Sequence, residues 1–439
     1  MTTEIMTVAQ MFSQFAENLS VENAEEISGR YGEITMALNK YYRDTESKTA
    51  NSLYVGSYGR GTGINGISDL DMIYMLPKEA WDRYKDGRQS ALLQDVKKAI
   101  KERYSRTEMR GDGQVVVVEF DSQAFEVVPA FEQEDRSFKY PDTNDGGSWP
   151  ITKPRAEMQA IRDVDEVKNG NLRNLCQMVR AWKNQHGIEM GGLLIDTLAH
   201  NFLQSTSEYD DKSFLYYDYM VRDFFLYLSE EDNQEYYLAP GSNQRVYVRR
   251  KFQKKAKKAH KLCLEAIDAE NDAGVNKKWK RVFGRPFPAA PATVTEAAAG
   301  DAGLSWTSTE EFIENKYPVD IRHYLKIDCE VSNYAGLSTQ SLREMVDKGY
   351  PLYANRGLRF HVSEIDVPEP YHLEWKVLNR GPIARRKNQV RGQIERDKGC
   401  QEKTETASFK GDHIVECYAI RNRTVVAKDR IHVPIANGE

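Results

Sequence analysis

The run Gly56-Ser57-Tyr58-Gly59-Arg60-Gly61-Thr62 lies just ahead of Asp69-Leu70-Asp71-Met72-Ile73-Tyr74-Met75, and this pairing constrains the chain more than any other feature. A glycine-rich turn with backbone N–H groups and a serine hydroxyl can wrap phosphates. The second run is rich in strand formers, and residues two apart on a strand share a face. Asp69 and Asp71 would then point together at whatever the turn holds. Two neighbouring carboxylates repel unless a cation lies between them, and hard oxygen ligands suit Mg²⁺, which bridges protein and substrate phosphate. A lone Gly-Ser is more often a plain turn, and a lone Asp-x-Asp a solvated strand end or a cap. Their occurrence in one order over a short stretch favours a metal-dependent nucleotidyl-transfer site.

Gly56 to Asp71 resembles the signature of the polymerase-β-type nucleotidyltransferases. Within them it is most similar to the CD-NTases, bacterial relatives of cyclic GMP-AMP synthase and 2′-5′-oligoadenylate synthase. The resemblance implies nucleotide-binding roles for Gly56, Ser57 and Arg60. It also implies a third carboxylate on a neighbouring strand, in a segment ending Val-Pro-Ala. Val115 to Phe120, a turn at Asp121-Ser122-Gln123, and Ala124-Phe125-Glu126-Val127-Val128-Pro129-Ala130 read as a hairpin with Glu126 in that position, where many members carry Asp. Asp121, on a surface turn, and Glu119, at an outward strand position, are the runners-up. Asp69, Asp71 and Glu126 would hold two Mg²⁺ ions (Mn²⁺ the alternative), roughly 3.5–4 Å apart as in other two-metal displacements.

Residues 169–204 carry helical periodicity broken by Gly187 and Gly191-Gly192. In the resembled family a basic residue in a segment like Arg180-Ala181-Trp182-Lys183 faces the triphosphate, and Lys183 is the better candidate. A cation there would stabilise the leaving pyrophosphate; the competing reading is a solvated helix face. The family often has Ser and Glu where this chain has Gly192 and Asp196, so neither is assigned a nucleotide contact.

The resemblance implies a nucleotide signal made from nucleoside triphosphates, typically a cyclic di- or trinucleotide in antiviral defence, with a downstream effector that responds to it. Linear ribo- or deoxyribo-oligonucleotides stay open as products. An RNA-tailing or CCA-adding enzyme shares the motif but would want a basic appendage. A small-molecule or protein nucleotidylating enzyme normally needs far fewer residues, and a nucleotide binder without catalysis would be favoured by a missing carboxylate.

At 439 residues the chain suggests two or three domains. With 29% charged residues and a net charge of −5, bulk attraction to long nucleic acid is not expected. No apolar run approaches the ~20 residues of a membrane span, and Met1 to Met6 lacks a signal-peptide character. The five scattered cysteines argue for reduced thiols and against a zinc site. A soluble cytoplasmic protein is expected.

The expected fold is α+β: a polymerase-β-like core over residues 1–287, then a small mostly-β sandwich. The core divides into a catalytic sheet over about 45–150 and a helical lobe over about 155–287. Residues 7 to about 45 carry helical periodicity, with Phe12, Phe15 and Leu19 as one apolar stripe and Ile27, Tyr31, Ile34, Leu38 and Tyr41 as a second; the resemblance implies a long helix along the back of the catalytic sheet here. Lysines and arginines from Arg249 to Lys261 cover a helix whose buried stripe is Val248, Phe252, Ala256, Ala259 and Cys263; they read as a solvated face rather than a nucleic-acid groove. Residues 288–305 are an Ala/Pro-rich linker. Residues 306–439 alternate apolar and polar residues as strands of a sandwich do. The pattern Trp375 to Gly381, Arg391-Gly392 and Gly411 to Cys417 resembles the adenylyl/guanylyl and SMODS C-terminal sensor domain. In that reading Arg385, Arg386 and Arg391, on a basic loop, would bind an anionic nucleotide; the competing reading is a structural or dimerising sandwich.

Overall fold

The two N-terminal apolar stripes become two helices with different partners. In the computed structural model, which describes residues 6–290, 311–332, 339–379, 383–384, 387 and 389–436, α1 spans Val8–Leu19 and α2 spans Ala24–Arg43. Thr7 caps α1 reciprocally with Gln10. Phe12 and Phe15 of α1 enter an aromatic cluster with Trp279, Phe283 and Phe287.

The sheet begins with β1 (Ser52–Tyr54), the helical turn α3 (Gly56–Gly59) and β2 (Asp69–Met75). Two helices follow, α4 (Trp81–Tyr84) and α5 (Gln89–Arg103). Then come β3 (Glu108–Asp112), β4 (Val115–Glu119), β5 (Ala124–Glu132), β6 (Phe138–Lys139) and β7 (Ile151–Thr152). The strand order is β1-β2-β5-β4-β3, with β6 pairing β5 and β7. β2 and β5 run parallel while the other pairs are antiparallel. One face carries Leu70, Met72, Val116, Val118, Phe125 and Val127, in one core with Ile27, Ile34 and Leu38 of α2 and Val96 and Ile100 of α5. The period-2 alternation of strands therefore leaves the opposite face for polar residues.

Helices α6 (Pro154–Val167), α7 (Asn171–His186), α8 (Gly192–Gln204) and α9 (Tyr217–Glu230) follow. A small hairpin of β8 (Tyr236–Leu238) and β9 (Arg245–Tyr247) leads into α10 (Gln253–Ile267) and α11 (Val275–Phe283). On α10, Ala256, Ala259, Leu262 and Cys263 are buried while Lys254, Lys257, Lys258 and Lys261 are exposed, as a solvated basic face requires. Val248 is only half-buried.

Asp218, in the first turn of α9, gives a pH test of this lobe. Burial pushes its carboxyl up to about 6, and Glu270 adds to the shift. Ionisation of such a group opposes folding, so the penalty is present above about pH 6 and disappears as pH falls towards the unfolded value near 4. Asp218→Asn keeps an acceptor for the Tyr219 N–H, 2.8 Å away. It should stabilise the protein by about 1–2 kcal/mol at pH 7.5 and by much less at pH 4.5, measured by denaturant unfolding at the two pH values.

By its contacts the chain divides into two units, Met1–Gln185 with Met190–Pro291, and His186–Glu189 with Ala292–Glu439. Residues 291–310, most of the expected linker, lie outside the described residues. The second unit contains β10 (Leu325–Ser332), β11 (Thr339–Ser341), α12 (Leu342–Asp347), β12 (Leu352–Tyr353), β13 (Gly357–Ile365), β14 (His372–Leu378), β15 (Arg391–Arg396), β16 (Glu402–Thr406), β17 (Gly411–Arg421) and β18 (Thr424–Ala436). These strands form two sheets, β11-β10-β13-β16 and β12-β18-β17-β14-β15. Ile327, Cys329, Phe360, Trp375, Cys417 and Val433 share the core between them. The mostly-β C-terminal region expected from the alternating pattern is present.

Candidate active site

The strand register gathers the acidic residues. Asp71 on β2 pairs directly with Glu126 on β5, and Asp69 with Ala124. Since Leu70 and Met72 enter the core, Asp69, Asp71 and Glu126 share the opposite face, each half-buried. On the far side of β5, Val117 pairs with Glu126 and Glu119 with Ala124. Glu119 therefore lies on the same face as the aspartates, which corrects its reading as an outward position. Burial raises the Glu119 carboxyl above its ordinary range; nearby Arg110 lowers it and Asp69 raises it further. The Arg110 Nη2 is 3.5 Å from Glu119 Oε1. Asp121 falls between β4 and β5, exposed and beyond the paired residues.

The turn presses onto this face. Gly56 has φ +61, and a Cβ there would lie 1.8 Å from Asp71 Oδ2. No side chain fits, and the left-handed backbone suits only glycine well. The Val55 N–H donates to the Asp71 carbonyl at 2.9 Å, tying the turn to β2. The loop then curls back on itself, with the Thr62 and Gly63 N–H groups donating to the Ser57 carbonyl at 2.9 and 3.1 Å. The bare glycine makes room for the Asp71 carboxylate, and the donor set is all hard oxygen, the chemistry that suits a Mg²⁺-class ion. Among the described residues, no three His, Cys, Asp or Glu side chains are gathered as a closed metal cluster. Carboxylates on adjacent strands repel and draw together only around a shared cation.

Arg60 makes a contact that the sequence did not suggest. Its guanidinium is buried, with Nε donating to Asp196 Oδ2 at 2.8 Å and Nη1 3.9 Å from Glu157 Oε2. Asp196 is fully buried and also accepts from the Thr62 hydroxyl at 2.9 Å and from Arg180 Nη1 at 2.6 Å. Burial alone would raise its pKa, but Arg180 and Arg60 hold it at about 2. Whatever its part toward a nucleotide, Arg60 in this pair fastens the signature loop to α8. Arg180 also donates to the carbonyls of Cys176 and Gly192 at 3.2 and 3.0 Å. A Cβ at Gly192 would come within 3.2 Å of that guanidinium, so bare Gly192 and short Asp196 make room for it.

Helix α7 lies along the same loop, with Gln177 Nε2 donating to the Gly63 carbonyl at 3.1 Å and Arg173 Nε to the Arg60 carbonyl at 3.3 Å. Lys183, one turn beyond Arg180, is buried, which removes the solvated-face reading. Asp196 was the functional residue missed in the sequence; its spacing from Arg60 gives no local signal. In the second unit, Arg391 is already engaged by Glu405, with Nη1 and Nη2 donating at 2.6 and 2.8 Å. Arg385 and Arg386 lie outside the described residues.

Together the mixed sheet, its acidic face and the turn against it define a nucleotidyltransferase core. The second messenger oligonucleotide or dinucleotide synthetase domain matches residues 6–165, and the adenylyl/guanylyl and SMODS C-terminal sensor domain matches residues 307–436. The chain is a CD-NTase that carries a C-terminal sensor domain. It is 21% identical over 276 residues to a probable cyclic nucleotide synthase of Bacillus cereus (strain VD146), covering 53% of this chain and 81% of that one. Among solved structures it resembles CdnC of E. coli MS115-1 in complex with HORMA-deltaN (15% identity, TM-score 0.48, 64% of this chain and 98% of that chain). It also resembles the cyclic AMP-GMP synthase DncV of Vibrio cholerae (13% identity, TM-score 0.45, 64% of this chain and 88% of that chain). No described helix is long and apolar enough to cross a membrane.

Proposed function

We propose that the protein joins nucleoside triphosphates, without a template, into a cyclic oligonucleotide second messenger in the cytoplasm, as part of antiphage defence. The observation that carries this reading is the register that sets Asp69, Asp71 and Glu126 side by side beneath the Gly56 turn. These three carboxylates would hold Mg²⁺, or Mn²⁺ in its place. When bound, the metal supplies charge neutralisation at the attacking and leaving oxygens of the displacement. Gly56 and Ser57 hold the triphosphate, and Lys183 on α7 stabilises the departing pyrophosphate. The C-terminal unit binds a regulatory nucleotide, with Arg385, Arg386 and Arg391 as its anion contacts, and the product acts on a downstream effector. A linear ribo- or deoxyribo-oligonucleotide is the alternative product, and RNA tailing the alternative activity.

Incubating the protein with Mg²⁺ and labelled ATP, GTP, CTP and UTP, then identifying products by mass spectrometry, tests the reading. A pyrophosphate-releasing reaction yielding a product without terminal phosphates supports it. Linear products only would replace the cyclic reading, and extension of added RNA would favour tailing.

Within the site, Glu126→Gln should lower turnover by about two to three orders of magnitude, the scale of losing one charge-stabilising group. Asp121→Asn should leave turnover within about twofold, because Asp121 is exposed and lies off the acidic face. Pyrophosphate release by the two variants checks this, and the reverse order would show that the hairpin register misplaces the third carboxylate.

A further inference from the structure

The C-terminal sandwich is not filled to its end. Where β13 and β16 of one sheet face β14, β15, β17 and β18 of the other, a cavity of about 400 Å³ remains. Protein cores otherwise pack to crystal-like density, and a recess of this size lined by both apolar and polar side chains is a form that small-ligand sites take. Leu358, Phe360, Val415 and Ile435 form its apolar wall. His413 is buried in it, with Nε2 3.2 Å from the Phe409 carbonyl and its ring edge-to-face with Phe409 at 5.1 Å between centroids.

The mouth carries a built feature. Arg391 opens β15 with φ +58, at the place where the pairing with β14 slips its register between Lys376 and Leu378. A left-handed non-glycine residue at a bulge is costly and re-aims its side chain, and such strain gathers at ligand clamps. Here it sends the Arg391 fork across to Glu405 on the opposite sheet, as a bidentate strut over the cavity. The two charges cancel within the recess. Lys387 is exposed, with its ammonium 5.2 Å above the Phe409 ring.

We infer that this cavity seats a nucleobase, entering as a nucleoside or nucleotide with its ring between the aromatic walls and its polar edge at Arg391 and Glu405. The chemistry follows from the lining. A recess lined by Phe360 and Phe409, in which the Arg391 and Glu405 charges offset each other, suits a neutral planar ring and leaves a polyphosphate uncompensated. An arginine fork reads paired acceptors such as guanine O6 and N7, and a carboxylate accepts from amino or imino N–H groups. Any phosphate stays at the rim near Lys387. The inference rests on the reading of this unit as ligand-binding, but it locates the seat in the cavity rather than on the basic loop.

The test is calorimetric titration of the full chain, without divalent metal, using guanosine, adenosine, cytidine, uridine, GTP and inorganic triphosphate as separate probes. At least one nucleoside should bind. Glu405→Gln should weaken that binding by about tenfold or more, within the range of one bidentate base contact. Ser408→Trp, which plugs the rim from an exposed position, should abolish it, while Asp71→Asn should leave it unchanged. The cavity assignment is overturned if no nucleoside binds, or if binding survives both cavity substitutions. It is equally overturned if GTP and inorganic triphosphate bind alike while nucleosides do not; that result would leave an anion-binding regulatory unit standing without the cavity.

Discussion

Asp71→Asn and Asp69→Asn are each expected to lower product formation by about three orders of magnitude or more while the protein stays folded. Both carboxylates are half-buried on the polar face of β2 and in register with β5, and Asp71 lies against the Gly56 turn. An amide keeps the shape and the acceptor oxygen but not the charge, so it cannot neutralise a divalent ion that bridges to a triphosphate. Stability should hold or rise slightly, because each substitution removes one negative charge from an acidic face where burial, and to a lesser degree Asp69, already raises Glu119. Pyrophosphate release and thermal unfolding, measured on the same preparations, separate the two effects. Near wild-type turnover by either variant would show that the sheet's acidic face is not the metal site.

The features legible in the sequence are those whose partners lie close along the chain or repeat with a fixed period. The turn and the two aspartates fall in one short run, and the alternation in residues 327–331, 358–362 and 373–377 marks strands of the sandwich. Glu126 was placed by the resemblance of its Val-Pro-Ala segment, and its pairing opposite Asp71 sets it on the face of the aspartates. Glu119 was misread because its face depends on how many residues the hairpin turn consumes. With Glu119 opposite Ala124, parity puts it beside the aspartates; counting the turn as Phe120 to Gln123 would have found this. The ion pair of Arg60 was out of reach for a different reason. Its partner Asp196 is 136 residues away on another helix, and nothing local announces a buried ion pair. Lys183 shows the same limit: on a surface helix the charge would be solvated, and only the packing of α7 makes it buried.

The buried pair carries the second large effect. Asp196→Ala should destabilise the protein by about 3–5 kcal/mol, because it removes the carboxylate that accepts from both buried guanidinium groups, Arg60 and Arg180. Asp196→Asn should cost less, since the amide oxygen still accepts from Arg180 or Thr62. The pH dependence has a definite sign. Against burial, Arg180 and Arg60 hold the folded pKa at about 2, below the unfolded value near 4. The stabilisation is therefore complete above about pH 4 and is lost as pH falls towards 2, in the wild type but not in Asp196→Asn. Function should follow through position: the same residue anchors Arg60 and Thr62, which close the loop that begins at Gly56. Conservative Arg60→Lys should then lower unfolding stability and turnover together, and combining it with Asp196→Asn should cost less than the sum of the two. If Arg60 instead gripped the nucleotide, Arg60→Lys would raise KM with stability unchanged and add independently to Asp196→Asn. Unfolding curves and KM for the two single variants and the double variant decide between these outcomes.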